Sequence, residues 1–250
     1  EKYSKSLSKF IQLSDTPITI GLQGEWGTGK TSLMSLILEE FDSEENQKSI
    51  ASSWVNTWEY SMFKNARETT PSVLKGMLEK LKDSCKERKV WTLKDDVTSA
   101  YHKAGKFLSG IANQVIASQT GVDIKNAADG TKNESIIVAE IAEIKELISG
   151  LIKDLINDKK NPVEKVVFFV DDLDRIPPND AVEVLESLKN IFDIPNCVFI
   201  LAIDYDVVVK GLEGKFGPKT KENEREFRSF FDKIIQVPFT MPVGAYDITS

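Results

Sequence analysis

The sequence has few of the residues on which disulfide-stabilised and zinc-binding proteins depend. Its 250 residues include two cysteines, Cys85 and Cys197, and one histidine, His102. Two cysteines do not make a disulfide framework, and with a single histidine they do not make a zinc site. Cys197 opens the apolar run CVFILAI and is expected to be a buried thiol. These scarcities favour a reducing, cytoplasmic compartment.

The sequence also lacks a long apolar run and an excess of positive charge. A membrane-spanning helix needs ~20 apolar residues, and no run approaches that length; no signal peptide is present either. The formal net charge is −7, which argues against broad electrostatic binding to DNA or RNA, although it leaves room for a local basic strip. The chain starts without Met and stops without a closing element, so we interpret it as a piece of a longer protein.

One segment carries a specific chemical signal. GEWGTGKTS, residues 24–32, fits the phosphate-loop pattern G-x-x-x-x-G-K-[ST] in full, between the strand-like TPITIGLQ and the helix-like SLMSLILEEF. The glycines let backbone N–H groups surround an anion, and the helix N-terminus adds its positive dipole end. Lys30 is expected to contact the β- and γ-phosphates, and the Thr31 hydroxyl to bind Mg²⁺. The predicted nucleotide-binding residues are Gly24, Glu25, Trp26, Gly27, Thr28, Gly29, Lys30, Thr31 and Ser32. Trp26 is interpreted as a lid or a packing residue.

A second signal is the acidic end of a predicted strand, VVFFVDDLDRI, residues 166–176. Asp171, at the strand tip, is predicted to hold Mg²⁺ directly or through water. Asp172 is predicted to orient or deprotonate the water that attacks the γ-phosphate. For either carboxylate the alternative is a solvated turn or a helix cap. Asp204 ends a later strand, FILAID, and is predicted to contact the γ-phosphate or the water, or else to cap the following helix.

Two arginines are candidates for stabilising the transferring phosphoryl group. Arg175 belongs to the DDLDR string and Arg228 lies in a predicted helix before the last strand. Either could instead form a surface ion pair, Arg228 with Glu224 or Asp232. We favour Arg175 as the catalytic arginine, acting within its own subunit or across a subunit boundary.

The pattern of apolar residues predicts an α/β fold. The predicted strands are 18–23, a stretch within 49–58, 165–170, 198–203 and 234–239. The predicted helices are 3–13, one ending near 41, 70–89, 98–118, 134–158, 180–192, 206–216 and 222–233. Continuously apolar strands are typical of a parallel sheet with helices on both faces. Helix 134–158 has a stripe that permits a coiled coil, but we favour a core-facing helix, preceded by a loop at 121–133.

Aromatic residues alternate along the predicted second strand. Trp54, Asn56 and Trp58 are expected to share one face of the sheet. We favour packing of this face against a helix. In the alternative, the Trp58-Glu59-Tyr60 segment leaves the strand near the catalytic water.

Five strings together resemble the KAP family of P-loop NTPases: GEWGTGKTS, VNTWEYS, FFVDDLDRI, VFILAIDYDVVVKGLEGKFG and FFDKIIQVPF. The resemblance implies one NTPase domain over residues 1–250, with an additional-strand parallel sheet of order 5-1-4-3-2. It places a soluble helical insertion, residues 64–160, between strands 2 and 3. A C-terminal helical lid and any effector region would be missing from this sequence. ATP with Mg²⁺ is the implied nucleotide, and no guanine-reading N-K-x-D string follows the strands.

The family further resembles signalling ATPases that switch and assemble. The leading hypothesis is therefore a cytoplasmic ATPase that binds ATP and ADP, forms a homo-oligomer, couples nucleotide state to assembly or signalling, and has a protein effector or sensor partner. Anti-phage defence in bacteria is implied by the resemblance alone. Two alternatives stay open: a DNA-linked ATPase or motor, which would need a basic channel, and a scaffold that holds nucleotide without hydrolysing it.

Overall fold

The computed structural model describes residues 2–42, 49–62, 66–87 and 130–242. The helices of these residues are α1 (Lys2–Leu13), α2 (Lys30–Asp42), α3 (Thr57–Ser61), α4 (Ala66–Glu87), α5 (Gly130–Ile156), α6 (Pro178–Leu188), α7 (Tyr205–Phe216) and α8 (Glu224–Asp232). The strands are β1 (Ile18–Gln23), β2 (Ile50–Asn56), β3 (Lys165–Asp171), β4 (Cys197–Ile203) and β5 (Val237–Thr240), and a 3-10 turn covers Leu173–Arg175. The predicted α/β class is confirmed.

The five strands form one parallel sheet in the order β2-β3-β4-β1-β5. When the strands are counted from β5, the order is 5-1-4-3-2, as expected. The register places Asn56, the last residue of β2, beside Asp171, the last residue of β3. Because every strand runs the same way, the segments that follow β1, β2, β3 and β4 meet at one edge of the sheet.

Helices cover both faces of the sheet, and β3 shows this residue by residue. Val166, Phe168 and Val170 belong to a core cluster shared with α4, α5, α6, α7 and α8. Val167 and Phe169 point to the opposite face, into a cluster shared with α1 and α2. Both faces of β3 are therefore buried, which explains why its sequence is continuously apolar. Within the described residues, no helix combines the length and the apolar composition needed to cross a membrane.

The predicted helix 134–158 corresponds to α5, and its apolar stripe faces the core. The stripe residues buried in the cluster with α4 are Ile141, Ile144, Ile148, Leu151 and Leu155. The core-facing interpretation is thus confirmed for this part of the helix. The predicted loop at 121–133 is wrong at its end, because α5 already begins at Gly130; small polar residues are only a weak prior against a helix. Residues 98–118, 121–129 and the side chain of Ile137 lie outside the described residues.

Helix α4 begins earlier than its Thr-Pro sequence predicts. The sequence predicts a helix over 70–89, because threonine is a good N-cap and proline suits the first helical position, but the helix starts at Ala66 and contains Pro71. Thr69 and Thr70 are both buried, so tertiary packing keeps the preceding turn helical despite the missing N–H of the proline. α4 and α5 lie within the predicted helical insertion of residues 64–160, and the division of the chain into domains stays a prediction.

Strand β2 ends before Trp58, which corrects the prediction of three residues on one strand face. Asn56 has an extended backbone, and its side-chain oxygen accepts hydrogen bonds from the N–H groups of Trp58 and Glu59. This N-cap starts the short helix α3 and removes Trp58 from the sheet. Trp54 does stay on the strand, where its ring stacks on Phe169 at a centroid distance of 5.3 Å.

The last strand is shorter than the predicted 234–239. The N–H groups of Ile234 and Ile235 both donate to the carbonyl of Phe231, at 2.9 and 2.8 Å. These bonds close a turn after α8, so β5 begins only at Val237. The apolar character of the two isoleucines reflects burial in the turn and not membership of the sheet.

Candidate functional site

The phosphate-loop segment, residues 24–32, joins β1 to α2 at the carboxyl edge of the sheet. Gly27 and Gly29 have φ angles of 84° and 88°, in the left-handed region that other residues rarely adopt. At Gly24 space is the constraint, because an added Cβ would lie 2.5 Å from Oγ1 of Thr28. The three glycines therefore give this loop a backbone path that larger residues would not permit.

Backbone N–H groups of the loop are available to an anion. The N–H of Gly24 donates to the carbonyl of Ile203 at 3.2 Å, which ties the start of the loop to the end of β4. Within the described residues, no acceptor is found for the N–H of Gly27 or Gly29. Helix α2 begins at Lys30, so its unpaired N-terminal N–H groups and dipole end face the same place. This arrangement suits a phosphate group.

The ammonium group of Lys30 lies inside the loop. It donates to the carbonyls of Gly24 and Glu25 at 2.8 and 3.0 Å. It also forms an ion pair with Oδ2 of Asp174 at 3.0 Å, and both side chains are only 7% exposed. The cation is therefore enclosed by loop carbonyls and one carboxylate from the turn after β3.

Thr31 and Asp171 meet as the sequence predicts for a magnesium site. The Thr31 hydroxyl donates to Oδ1 of Asp171 at 3.2 Å, so two oxygen ligands converge between the loop and β3. Mg²⁺ prefers such oxygens and completes its coordination shell with phosphate and water. In the described part of the chain, no three His, Cys, Asp or Glu side chains cluster as metal ligands, so phosphate and water would have to supply the other oxygens here. The residues present fit a nucleotide-bound Mg²⁺.

The environment of Asp171 disfavours its charge. Burial raises the pKa of Asp171, and the nearby carboxylates of Asp172 and Asp174 raise it further. The backbone N–H of Asp172 and the Thr31 hydroxyl donate to the carboxylate and oppose this shift. A cation bound between Thr31 and Asp171 would favour the ionised form of Asp171, because its positive charge offsets the effect of burial and of the neighbouring carboxylates.

Asp172 is held by two side chains from different parts of the chain. Its backbone is left-handed, with φ of 59°, which turns the chain sharply after β3. Asn56 donates from Nδ2 to Oδ2 of Asp172 at 2.7 Å. Arg175 pairs through Nε with Oδ1 at 2.6 Å. Each carboxylate oxygen thus has a partner, and the side chain is 9% exposed.

The two candidate arginines have different surroundings. Arg175 contacts Asp172 within its own chain, and its side chain is 46% exposed. Arg228 is 73% exposed, and its ion pair with Glu224 has an N···O distance of 3.9 Å. The expected surface pair of Arg228 with Glu224 is confirmed. Of the two arginines, Arg175 is the one that contacts a predicted catalytic residue.

Asp204 takes the capping position that was its alternative interpretation. It is the N-cap of α7, and its side chain accepts a hydrogen bond from the N–H of Asp206 at 3.0 Å. It directly follows β4 and so lies at the same edge of the sheet as the phosphate loop. Contact of Asp204 with the γ-phosphate or the attacking water stays a prediction.

Three further loop side chains are exposed, whereas Thr28 is partly buried and donates from its hydroxyl to the carbonyl of Glu25 at 2.7 Å. Glu25 and Ser32 face solvent, and Trp26 is 78% exposed. The interpretation of Trp26 as a packing residue is therefore wrong, and its role as a lid stays a prediction.

Sequence reasoning missed three contacts at this edge. Asn56 was interpreted as part of a packed sheet face, yet it holds Asp172. Thr57, fully buried, donates to the backbone carbonyl of Asp171 at 2.7 Å. Asp174, which lies in the DDLDR string between the predicted site residues Asp172 and Arg175, pairs with Lys30. The expected neighbourhood of strands 2 and 3 could have indicated Asn56, because parallel neighbours end side by side.

The sequence and the fold are similar to those of known proteins. The chain is 24% identical, over 240 residues, to the Phage T7 exclusion protein of Escherichia coli (strain K12). That match covers 89% of this chain and 30% of the relative, so the chain spans less than a third of the relative's length. The solved structure of the Aeropyrum pernix ORC2 protein in ADPNP-ADP complexes is similar with a TM-score of 0.44 and 14% identity, over 96% of this chain and 47% of that one.

The family itself is shown by the extent of the sequence match. The KAP family P-loop domain matches residues 1–247, which is nearly the entire chain. The sheet order and the phosphate loop agree with the resemblance found in the sequence strings. The chain belongs to the KAP family of P-loop domains.

Proposed function

We propose that this chain is an ATP-binding and ATP-hydrolysing domain that couples its nucleotide state to assembly or signalling. One observation carries the proposal: the Thr31 hydroxyl and the Asp171 carboxylate lie 3.2 Å apart beside a glycine-rich loop that encloses Lys30. These are the groups that hold nucleotide phosphates and their magnesium ion in P-loop proteins. ATP as the nucleotide rests on the family resemblance.

The proposed mechanism assigns each group one task. The N–H groups of Gly27 and Gly29 and the Lys30 ammonium bind and orient the phosphates. Thr31 and Asp171 would hold Mg²⁺, which supplies charge to the β- and γ-phosphate oxygens. Asp172, the next carboxylate beyond the metal ligand, accepts a hydrogen bond from the attacking water and takes its proton as the water oxygen bonds to the γ-phosphorus. The bond from that phosphorus to the bridging oxygen breaks, and ADP leaves with the electron pair.

The contacts of Asp172 also define the proposed role of Arg175. Because Nε of Arg175 binds Oδ1 of Asp172, the arginine positions this carboxylate within one subunit. Loss of that contact on assembly would release the guanidinium toward the phosphates and free the carboxylate for water. We therefore assign Arg175 a role in cis and keep a homo-oligomer, with a separate effector or sensor partner, as part of the proposal.

The relative's name links the family to exclusion of a phage. On that basis we propose a role in anti-phage defence, exerted by the longer protein that contains this domain. The ATPase domain would act as the switch, and other segments would detect the phage or carry the effect.

A non-hydrolysing scaffold is the second candidate. It is favoured by the fact that both oxygens of Asp172 are already hydrogen-bonded or paired, to Asn56 and Arg175. Each oxygen of Asp172 therefore has one of its two acceptor sites occupied, which leaves fewer positions at which it can bind the attacking water.

The test is Mg²⁺-dependent ATP turnover by the purified protein over a range of protein concentrations. Turnover that rises faster than linearly, and is lost in Lys30→Ala and Asp172→Asn, is expected for an assembling ATPase. Arg228→Ala is the control, since that side chain is 73% exposed and its ion pair is with Glu224 of the same helix. Nucleotide binding without turnover at any concentration would leave the scaffold as the function.

A further inference from the structure

Lys30 has no donor left for a phosphate. A lysine ammonium has three N–H donors, and three acceptors surround this one: the carbonyls of Gly24 and Glu25, and the carboxylate of Asp174. A nucleotide oxygen can therefore bind Lys30 only by replacing one of them.

Of the three acceptors, Asp174 is the one that phosphate would displace. The two carbonyls belong to the loop that has to surround the phosphates, and they carry no net charge. Asp174 is an anion within 3.0 Å of the ammonium, so an incoming phosphate would be repelled by it and would compete for the same cation.

The position of Asp174 is set by the fold and not by a flexible side chain alone. It lies in the 3-10 turn after β3, between Leu173, which is 1% exposed, and Arg175. The turn is closed by the bond from the N–H of Arg175 to the carbonyl of Asp172 at 3.2 Å. The carboxylate is thus presented to Lys30 by a segment anchored in the core.

We propose that Asp174 is an internal competitor of the nucleotide for Lys30, and that its release from the lysine is part of nucleotide binding. The inference rests on the proposed function, because it assumes that nucleotide binds at this loop. Apparent affinity falls by the fraction of molecules in which Lys30 is available. Asp174 would therefore hold nucleotide affinity below the value that the loop alone would give.

The test measures the affinity of Asp174→Asn for ADP and ATP without Mg²⁺, so that metal binding plays no part. Affinity is expected to increase roughly tenfold if the pair holds Lys30 in about nine molecules of ten. Asp193→Asn is the matched control: Asp193 forms an ion pair with Lys145 at 2.8 Å before the amino end of β4, at the opposite edge of the sheet. It removes the same charge and is expected to leave affinity unchanged.

Two further variants make the result specific. In a Lys30→Ala background, Asp174→Asn should give a smaller gain than in the wild type, since the competitor has lost its target and only its repulsion of the phosphate is relieved. Asp174→Ser removes the same charge with a smaller side chain and should reproduce the gain, so the test does not depend on one variant folding. The melting temperature without nucleotide should fall in both variants, because Lys30 stays enclosed without its counter-ion.

The outcomes separate this inference from the proposed function. Unchanged or weaker binding by folded Asp174→Asn and Asp174→Ser would overturn the competition, while loss of affinity in Lys30→Ala would still support nucleotide binding at the loop. If Lys30→Ala binds nucleotide as well as the wild type, the proposed function itself fails.

Discussion

Two lysines at opposite ends of the sheet each direct an ammonium group at three acceptors, but the acceptors differ. Lys165, the first residue of β3, donates to the carbonyls of Ile11, Gln12 and Ser14, at 2.9 Å and 2.7 Å for the first two. Lys30, at the carboxyl edge, also has three acceptors, but one of them is the carboxylate of Asp174.

The difference lies in which acceptors can be exchanged. The partners of Lys165 are carbonyls at the end of α1, a place where a cation stabilises the unpaired groups of a helix. Burial lowers the pKa of Lys165, and the carboxylates of Glu164 and Asp15 oppose the shift. A ligand cannot displace the backbone carbonyls of a helix from Lys165, whereas a phosphate group can displace the Asp174 carboxylate from Lys30. We infer that Lys165 is a structural clamp and that Lys30 is a binding group.

The largest expected effect tests this assignment directly. Lys30→Ala is expected to weaken nucleotide binding about a hundredfold, as for loss of a hydrogen bond between charged groups. Lys165→Ala should leave affinity within about twofold, provided that the protein is folded. Titration of a fluorescent ADP analogue against both variants measures the contrast. Equal losses in the two variants would remove the distinction between them.

The converse experiment measures stability. Lys165→Met keeps the apolar stem but deletes two hydrogen bonds to the last turn of α1 and one to Ser14 just after it, so we expect the free energy of unfolding to fall by about 2–3 kcal/mol. Lys145→Met, at the partly exposed pair with Asp193, should change it by less than ~1 kcal/mol. Denaturant unfolding of wild type and both variants gives these values. A Lys165→Met protein as stable as the wild type would show that α1 is held by its apolar contacts alone.

A smaller effect on catalysis is expected from Asn56. Asn56→Ala removes one of the two groups that hold Asp172 and should lower kcat about tenfold with KM nearly unchanged, because the contact positions a catalytic group and not the substrate. The same change removes the N-cap of α3 and should cost about 1 kcal/mol of stability. Steady-state kinetics at a temperature where the variant is fully folded separates the two effects. A changed KM with unchanged kcat would contradict the positioning role.

The smallest effect is expected at Arg228. Since its side chain is 73% exposed and its ion pair is long, Arg228→Ala should change stability by less than ~0.5 kcal/mol and leave turnover unchanged. Arg175→Ala removes the partner of Oδ1 of Asp172 and should lower turnover more than Arg228→Ala does. A loss of turnover in Arg228→Ala alone would exchange the roles assigned to the two arginines.

Local sequence predicted the elements well where a short motif decides them. β1 has the expected bounds, and α2 starts at Lys30 directly after the glycine turn. Predictions failed where a distant contact decides. The residues on both sides of Asn56 are β-branched and favour a strand. Asn56 nevertheless caps a helix and binds Asp172, which is 116 residues away in the chain. Buried Thr69 and Thr70 extend α4 beyond the start that Pro71 indicated.

The sequence by itself determined the parallel α/β sheet and the phosphate loop, because continuous apolar strands, glycine turns and the helix that follows act over a few residues. Only the tertiary structure decided which charged and polar groups meet: Lys30 with Asp174, Asp172 with Asn56 and Arg175, and Lys165 with the end of α1. Apart from the nearby Arg175, these partners come from segments far apart in the chain. They meet because the strand order brings the ends of β1, β2 and β3 to one edge of the sheet and places α1 at the other end of β3.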